Sequence, residues 1–257
     1  MKILTIGDVT SPGGVAHLKE RLWAFRRENK IDFCIVNGEN ASLVTALSPE
    51  QAQDLLQSGA DVISGGNHTL RNKALYPLLN DSDALLRPLN FPADVPGHGY
   101  TIKDCLGYRL MVVNAMGTML IDPQLDSPYP YLDRLLAREA GRYDLAVLDF
   151  HAEATGEKVA LGYAYDGLIH VIFGTHTHVP TADATILPNG TGYLSDIGMC
   201  GETGGVLGMD AAGVIRRMRT RLPEKFVAAK GAPLAQGAIF TVDPSKKVVT
   251  KIEQIAF

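Results

Sequence analysis

Phe33-Cys34-Ile35-Val36-Asn37-Gly38-Glu39-Asn40 is the stretch on which the fold turns. Four apolar residues run without alternation, and a glycine, a carboxylate and an amide follow at once. An apolar run of this length reads as a strand, with Cys34 in the core. The same unit stands on either side of it. Upstream, a strand over residues 3–6 ends on Gly7-Asp8; downstream, Asp61-Val62-Ile63-Ser64 is followed by Gly66-Asn67-His68. Helical patterns separate the strands. Residues 15–28 place Leu18, Leu22 and Phe25 at helical spacing. Ser48-Pro49-Glu50-Gln51 combines an N-cap, a proline at the first helical position and the third-position Gln of a capping box, opening a helix to about residue 57 with Gly59 beyond its end. Repetition of strand, loop, helix and strand predicts parallel strands with right-handed crossovers.

Further along, a short helix is expected near residues 73–79 and an irregular, proline-rich passage over 87–96. Hairpin-like strands follow at 100–105 and 109–114, then a helix at 129–140. An apolar strand over 145–150 ends on His151, and another over 171–173 ends on Gly174-Thr175-His176-Thr177-His178. The C-terminal stretches 235–242 and 248–255 read as an antiparallel hairpin turning at Asp243-Pro244. No repeat, linker or low-complexity tract interrupts the chain, so residues 1–257 are expected to form a single domain.

Ligand sites in open α/β sheets form beyond the carboxyl ends of the strands. Asp8, Glu39, Asn67, His151 and His176 each stand at or just past such an end, which converts scattered residues into one expected cluster. Taken singly, each has a structural explanation: an Asp capping a loop, a Glu-Asn turn, a hydrogen-bonded histidine at a strand end. Two histidines in the tight Thr175–His178 turn have no packing purpose, and five coincidences are needed to dismiss the set. Carboxylate, amide and imidazole ligands without thiolate suit iron, manganese, zinc or similar ions.

The order Gly-Asp, Gly-Glu-Asn, Gly-Asn-His, His, Gly-x-His-x-His resembles the calcineurin-like metallophosphoesterase superfamily. Gly38-Glu39-Asn40-Ala41, His151-Ala152-Glu153-Ala154-Thr155 with Glu157-Lys158, and Gly174-Thr175-His176-Thr177-His178-Val179 are similar to its YmdB-like branch, as are Asp196-Ile197-Gly198-Met199 and Gly208-Met209-Asp210. The resemblance implies an α/β fold of mixed β-sheets sandwiched by helices, with a dinuclear metal site at the carboxyl-terminal strand edge. It implies that Asp8, Asn40 and His178 bind one divalent or trivalent ion, that Asn67, His151 and His176 bind a second, and that Glu39 bridges them. The superfamily's Asp-x-His opening reads Asp8-Val9-Thr10 here, so Asn40 takes the place of that His, and Glu39 that of the usual bridging Asp. The implied activity is phosphodiester hydrolysis, on 2′,3′-cyclic nucleotides or related small phosphodiesters.

Two cations about 3.5–4 Å apart can hold a bridging hydroxide at neutral pH and neutralise phosphoryl oxygens. His68, next to Asn67, is the expected proton donor to the leaving alkoxide. A phosphomonoesterase or nuclease on the same metal core, and a nucleotide-binding regulator with little turnover, are the competing readings. A serine-nucleophile hydrolase is the least favoured alternative, since the chain has no G-x-S-x-G elbow and no suitably placed Ser in the Gly7-Asp8-Val9 turn. The chain departs from the branch pattern at Thr69-Leu70-Arg71, and at residues 41–45 after Gly-Glu-Asn, both expected to border the phosphate pocket.

The bulk properties agree with an enzyme rather than a nucleic-acid coat. Hydrophobic residues make up 46% and charged residues 20%, enough for a full core, and the formal net charge of -4 opposes general phosphate-backbone binding. Arg216, Arg217, Arg219 and Arg221 are read as a solvated helix face near a C-terminus, and RNA contact through them has no support. His17, His98 and His170 match no motif and are assigned structural or surface roles; Glu153 and Glu157 are read as helix-start and loop residues. No signal-peptide pattern or membrane-length apolar run is present. Three widely spaced cysteines (Cys34, Cys105, Cys200) suit reduced thiols. A cytoplasmic protein, with a homo-oligomer compatible, is the expectation.

Overall fold

The computed structural model describes residues 1–42 and 46–257, so the stretch 43–45 of the expected pocket border lies outside the described residues. β1 (Lys2–Ile6), β3 (Phe33–Asn37) and β4 (Val62–Ser64) run parallel in that order. The crossovers are α1 (Pro12–Asn29) and α2 (Pro49–Gln57). α1 begins three residues earlier than its apolar spacing suggests. The Ser11 hydroxyl accepts the Gly14 N–H at 3.0 Å and Pro12 opens the helix, a capped start that the Gly13-Gly14 pair disguises as loop. α2 has the expected capping box at Ser48 and Gln51.

β12 (Pro233–Asp243) completes this first sheet. It pairs antiparallel with β1 on one side and with β13 (Val248–Ala256) on the other. Its leading end also pairs with β11 (Met199–Glu202), which runs parallel to the two-residue β2 (Asp8–Val9). The second sheet holds β5 (Tyr100–Cys105), β6 (Tyr108–Met116), β7 (Leu145–His151), β8 (Val171–Thr175), β10 (Gly192–Leu194) and β9 (Thr185–Ile186), in that spatial order. β6, β7, β8 and β10 are parallel; the two edges are antiparallel.

The alternation of side chains along the strands builds four layers. Ile3, Phe33 and Ile35 meet Val112, Val147 and Phe173 between the two sheets. Their neighbours Leu4, Cys34 and Val36 face Leu18 and Leu22 of α1 and Leu55 of α2. On the far side, Val113, Leu148 and Phe150 pack against Leu132 and Leu135 of α4 (Tyr129–Arg138) and Leu161 of α5 (Thr155–Ala164). The central strands of both sheets are therefore buried on both faces, which is why they read as unbroken apolar runs. The expected helix near 73–79 begins as a 3-10 turn and becomes α3 (Tyr76–Asp81), Pro77 lying in its first turn. α6 (Ala211–Thr220) has no buried residue, in keeping with a solvated arginine face. Among the described residues, no helix is long and apolar enough to cross a membrane.

Candidate metal centre

The carboxyl ends of β1, β3 and β4 in one sheet, and of β7 and β8 in the other, open at the same edge of the molecule. Asp8, Glu39, Asn40, Asn67, His68, His151, His176 and His178 all reach this edge, so the structure brings together every residue expected there. Two groups of donors can be told apart. In one, Asp8 Oδ1 lies 3.8 Å from His178 Nε2, and Asn40 Nδ2 lies 3.4 Å from the same nitrogen. In the other, His151 Nε2 is 3.1 Å from both Asn67 Oδ1 and His176 Nδ1. Glu39 stands between them: Oε1 accepts from Asn40 Nδ2 at 2.6 Å, and Oε2 is 3.6 Å from His151 Nε2. Ligand atoms of Glu39, His151 and His176 all lie within 4.8 Å of one another.

Local backbone chemistry sets these positions. The Glu39 N–H donates to Asn37 Oδ1 at 3.1 Å, folding the chain sharply as it leaves β3. The His68 N–H donates to Glu39 Oε2 at 2.9 Å, joining the loops after β3 and β4. In the Thr-His-Thr-His turn, His176 (φ 99°) and His178 (φ 63°) occupy the left-handed region, a conformation that costs of order 1–3 kcal/mol per non-glycine residue. Two carboxylates hold it. The His176 N–H donates to Asp8 Oδ2 at 3.0 Å and the Thr177 N–H to Asp196 Oδ2 at 3.1 Å. Asp196 is in turn paired with the buried Lys158, whose Nζ donates to it at 2.8 Å and to the Thr175 carbonyl at 2.9 Å.

His151 is oriented from behind. Thr175 Oγ1 donates to Asp149 Oδ1 at 2.7 Å and lies 2.9 Å from His151 Nδ1. A hydroxyl that gives its hydrogen to Asp149 can only accept from the imidazole, so Nδ1 carries the proton and Nε2 keeps its lone pair for the cluster. Asn37 at 2.9 Å and Ser64 donate to the other Asp149 oxygen.

Burial sets the charge states. It pushes Asp8 up to about 7, with Asp196 adding to the rise, and it raises Glu39 well above the usual range, with Asp8 adding to it. Asp149 is likewise pushed up to about 7 by burial. The imidazoles move the other way. Burial, then His178, lowers His176 to about 4; burial lowers His178; burial, then His176, holds His151 well below its usual value. Burial and Arg71 lower His68 to about 4. Neutral imidazoles with open lone pairs, facing buried carboxyl groups, are the donor set of a metal site. Asp8 Oδ1 is buried without a hydrogen-bond partner among the described residues. An orphaned buried carboxylate oxygen is costly, and a cation at this position removes the cost.

A cavity of about 380 Å³ opens over the cluster, lined by Glu39, Asn40, His68, His176 and His178 on one side. Of the Thr69-Leu70-Arg71 departure, Arg71 borders it and the buried Thr69 does not. Glu153 comes closer than a loop residue need, with Oε2 3.2 Å from His176 Nε2. Glu157 is structural: its carboxylate accepts the Thr118 N–H at 2.8 Å and hydroxyl at 2.9 Å. His17 bonds the Phe257 carbonyl at 2.8 Å, and His170 accepts the Ala146 N–H at 2.9 Å, both away from the cluster. Sequence reasoning misses the supporting groups Asn37, Asp149, Thr175, Lys158 and Asp196. A signal exists for Asp149, an acid inside an apolar strand, while Thr175, Lys158 and Asp196 stand in the stretches that carry the family resemblance without a role being readable for them.

Comparison with known proteins agrees with this geometry. The chain is 43% identical over 255 residues to the 2′,3′-cyclic-nucleotide 2′-phosphodiesterase of Bacillus subtilis (strain 168), covering 99% of this chain and 96% of that protein. A crystal structure described as a novel phosphatase from Mycoplasma pneumoniae superposes with a TM-score of 0.92 at 34% identity, covering 100% of this chain and 93% of that one. The 5′-nucleotidase precursor of Thermus thermophilus shares the fold alone, with a TM-score of 0.57 at 14% identity over 100% of this chain and 54% of its own. The architecture is thus that of the calcineurin-like metallophosphoesterases. The family model described as YmdB-like protein matches residues 4–255, and the chain belongs to that family.

Proposed function

We propose that the chain is a dinuclear-metal-dependent phosphodiesterase, acting as one domain on 2′,3′-cyclic nucleotides or related small phosphodiesters. The observation that carries this reading is the placement of Glu39, whose two oxygens face two separate donor groups. Asp8, Asn40 and His178 would hold one ion; Asn67, His151 and His176 would hold the other; Glu39 would bridge. Bound there, such ions lower the pKa of water and neutralise phosphoryl oxygens. Iron, manganese and zinc all suit the donor set. The 43% identity to a relative named for 2′,3′-cyclic nucleotides supports the substrate class.

The remaining chemistry belongs to the chain. His68 Nδ1 lies 2.6 Å from Asn40 Oδ1. An amide oxygen can only accept, so Nδ1 carries the ring's proton and the contact fixes the ring; Nε2, bare in the neutral ring, must take up a proton before it can pass one to the leaving oxygen. Arg71 at the rim supplies a guanidinium for a non-bridging phosphoryl oxygen. With a 2′,3′-cyclic substrate, opening the ring leaves a nucleoside monophosphate.

The test is hydrolysis of 2′,3′-cyclic AMP by metal-reconstituted and chelator-stripped protein. Turnover is expected only with metal; none in protein shown to hold both ions would end the cyclic-nucleotide reading. His151→Ala and Asn67→Ala are expected to lose activity and metal while remaining folded. His68→Ala is expected to keep its metals and lose about 10²–10⁴-fold in kcat; loss of metal instead would make His68 a ligand.

A further inference from the structure

The cavity over the donor cluster also has an apolar stretch of wall, and the chemistry above leaves it unused. Leu207, Met209 and Phe226 form it, all from the connection between β11 and β12. Their placement is built rather than incidental. Val206 and Met209 exchange backbone hydrogen bonds at 2.8 and 2.9 Å around Leu207 (φ 53°) and Gly208 (φ 84°), a two-residue hairpin with both central residues left-handed. The Asp210 N–H donates to the Val227 carbonyl at 2.8 Å, and the Ala229 N–H to the Gly208 carbonyl at 2.9 Å. These bonds tie the hairpin to the strand-like segment carrying Phe226. The Arg217 guanidinium lies 4.9 Å over the Phe226 ring and fixes its orientation. Yet Leu207 is 44% and Phe226 38% exposed. Apolar side chains held in fixed places beside a polar cluster, and left open to water, fit a ligand that is apolar and flat at one end and anionic at the other.

We propose that this wall seats the base of a nucleotide while its phosphate lies on the donor cluster. This deepens the function proposed above and rests on it: the substrates are nucleoside phosphodiesters, and small phosphodiesters lacking a base are poor ones. The cavity volume of about 380 Å³ falls within the range of small-ligand sites. Every base offers a π-face to an aromatic side chain, so recognition by Phe226 tolerates any base and prefers purines for their larger area.

The test compares 2′,3′-cyclic AMP with methyl ribofuranoside 2′,3′-cyclic phosphate, which keeps the sugar and the cyclic phosphate and lacks the base. In the metal-reconstituted protein, the ratio of kcat/KM values should favour the nucleotide, and Phe226→Ala should collapse that ratio about tenfold, mainly through KM. An unchanged ratio overturns the base seat. A second readout separates this proposal from the one it rests on: adenosine binding, measured by calorimetry in wild type and Phe226→Ala. Adenosine binding that weakens in the variant supports the base seat, even if neither cyclic phosphate is hydrolysed and the phosphodiesterase reading fails. Turnover of the nucleotide without adenosine binding keeps that reading and overturns the base seat.

Discussion

Thr175 shows how much a single hydroxyl decides at the residue scale. It passes a hydrogen to Asp149 and takes one from His151, and this relay selects the tautomer that leaves Nε2 free. Thr175→Val keeps the shape and removes the relay. Outer-shell partners of metal-binding histidines are worth about 10–100-fold in affinity, so a competitive chelator titration should show a loss of that size; an unchanged affinity would mean that burial alone orients His151. The relay also shows where the sequence stops being readable. Asp8, Glu39, Asn67, His151 and His176 follow apolar runs at once and are legible for that reason. Asp149 lies within an apolar run and Thr175 in the turn after one, and neither carries a mark of which neighbour it serves.

At the scale of elements, each loop must bring its donors within a few ångströms of loops from other strands, which leaves little room for side chains. The turn after β4 is one such case. A Cβ built on Gly66 would collide with His151 Nε2 and come within 2.5 Å of Glu39 Oε2. Gly66→Ala should therefore lose metal and activity with its circular dichroism spectrum intact; a fully metallated, active variant would show that these loops give way freely. The parallel strands and their helices are legible because they are long and periodic. β9, β10 and β11 are two to four residues each and too short for any period to show. α5 carries Gly156 and Gly162, which leave only its start recognisable. The cavity wall at Leu207, Met209 and Phe226 is illegible for another reason: it rests on a tertiary hairpin whose partners lie about twenty residues apart.

The whole molecule depends on the layer between the sheets. Phe240, fully buried in that layer, sits among Ile3, Phe173 and Val249. Phe240→Ala should cost about 3–5 kcal/mol in denaturant unfolding; a cost below about 1 kcal/mol would mean that the sheets close over the gap. The strand carrying Phe240 has a consequence for how the protein comes to life. Every proposed ligand has been translated by residue 178, yet β1 lacks its antiparallel neighbour until β12 exists, and β2, which bears Asp8, lacks its parallel partner until β11. Chains are made from the N-terminus, so the ribosome carries a full set of ligands long before it carries a site. Cargo loading is therefore expected to wait for the strands beyond residue 198, and a chain stopped short of them should take up no ion.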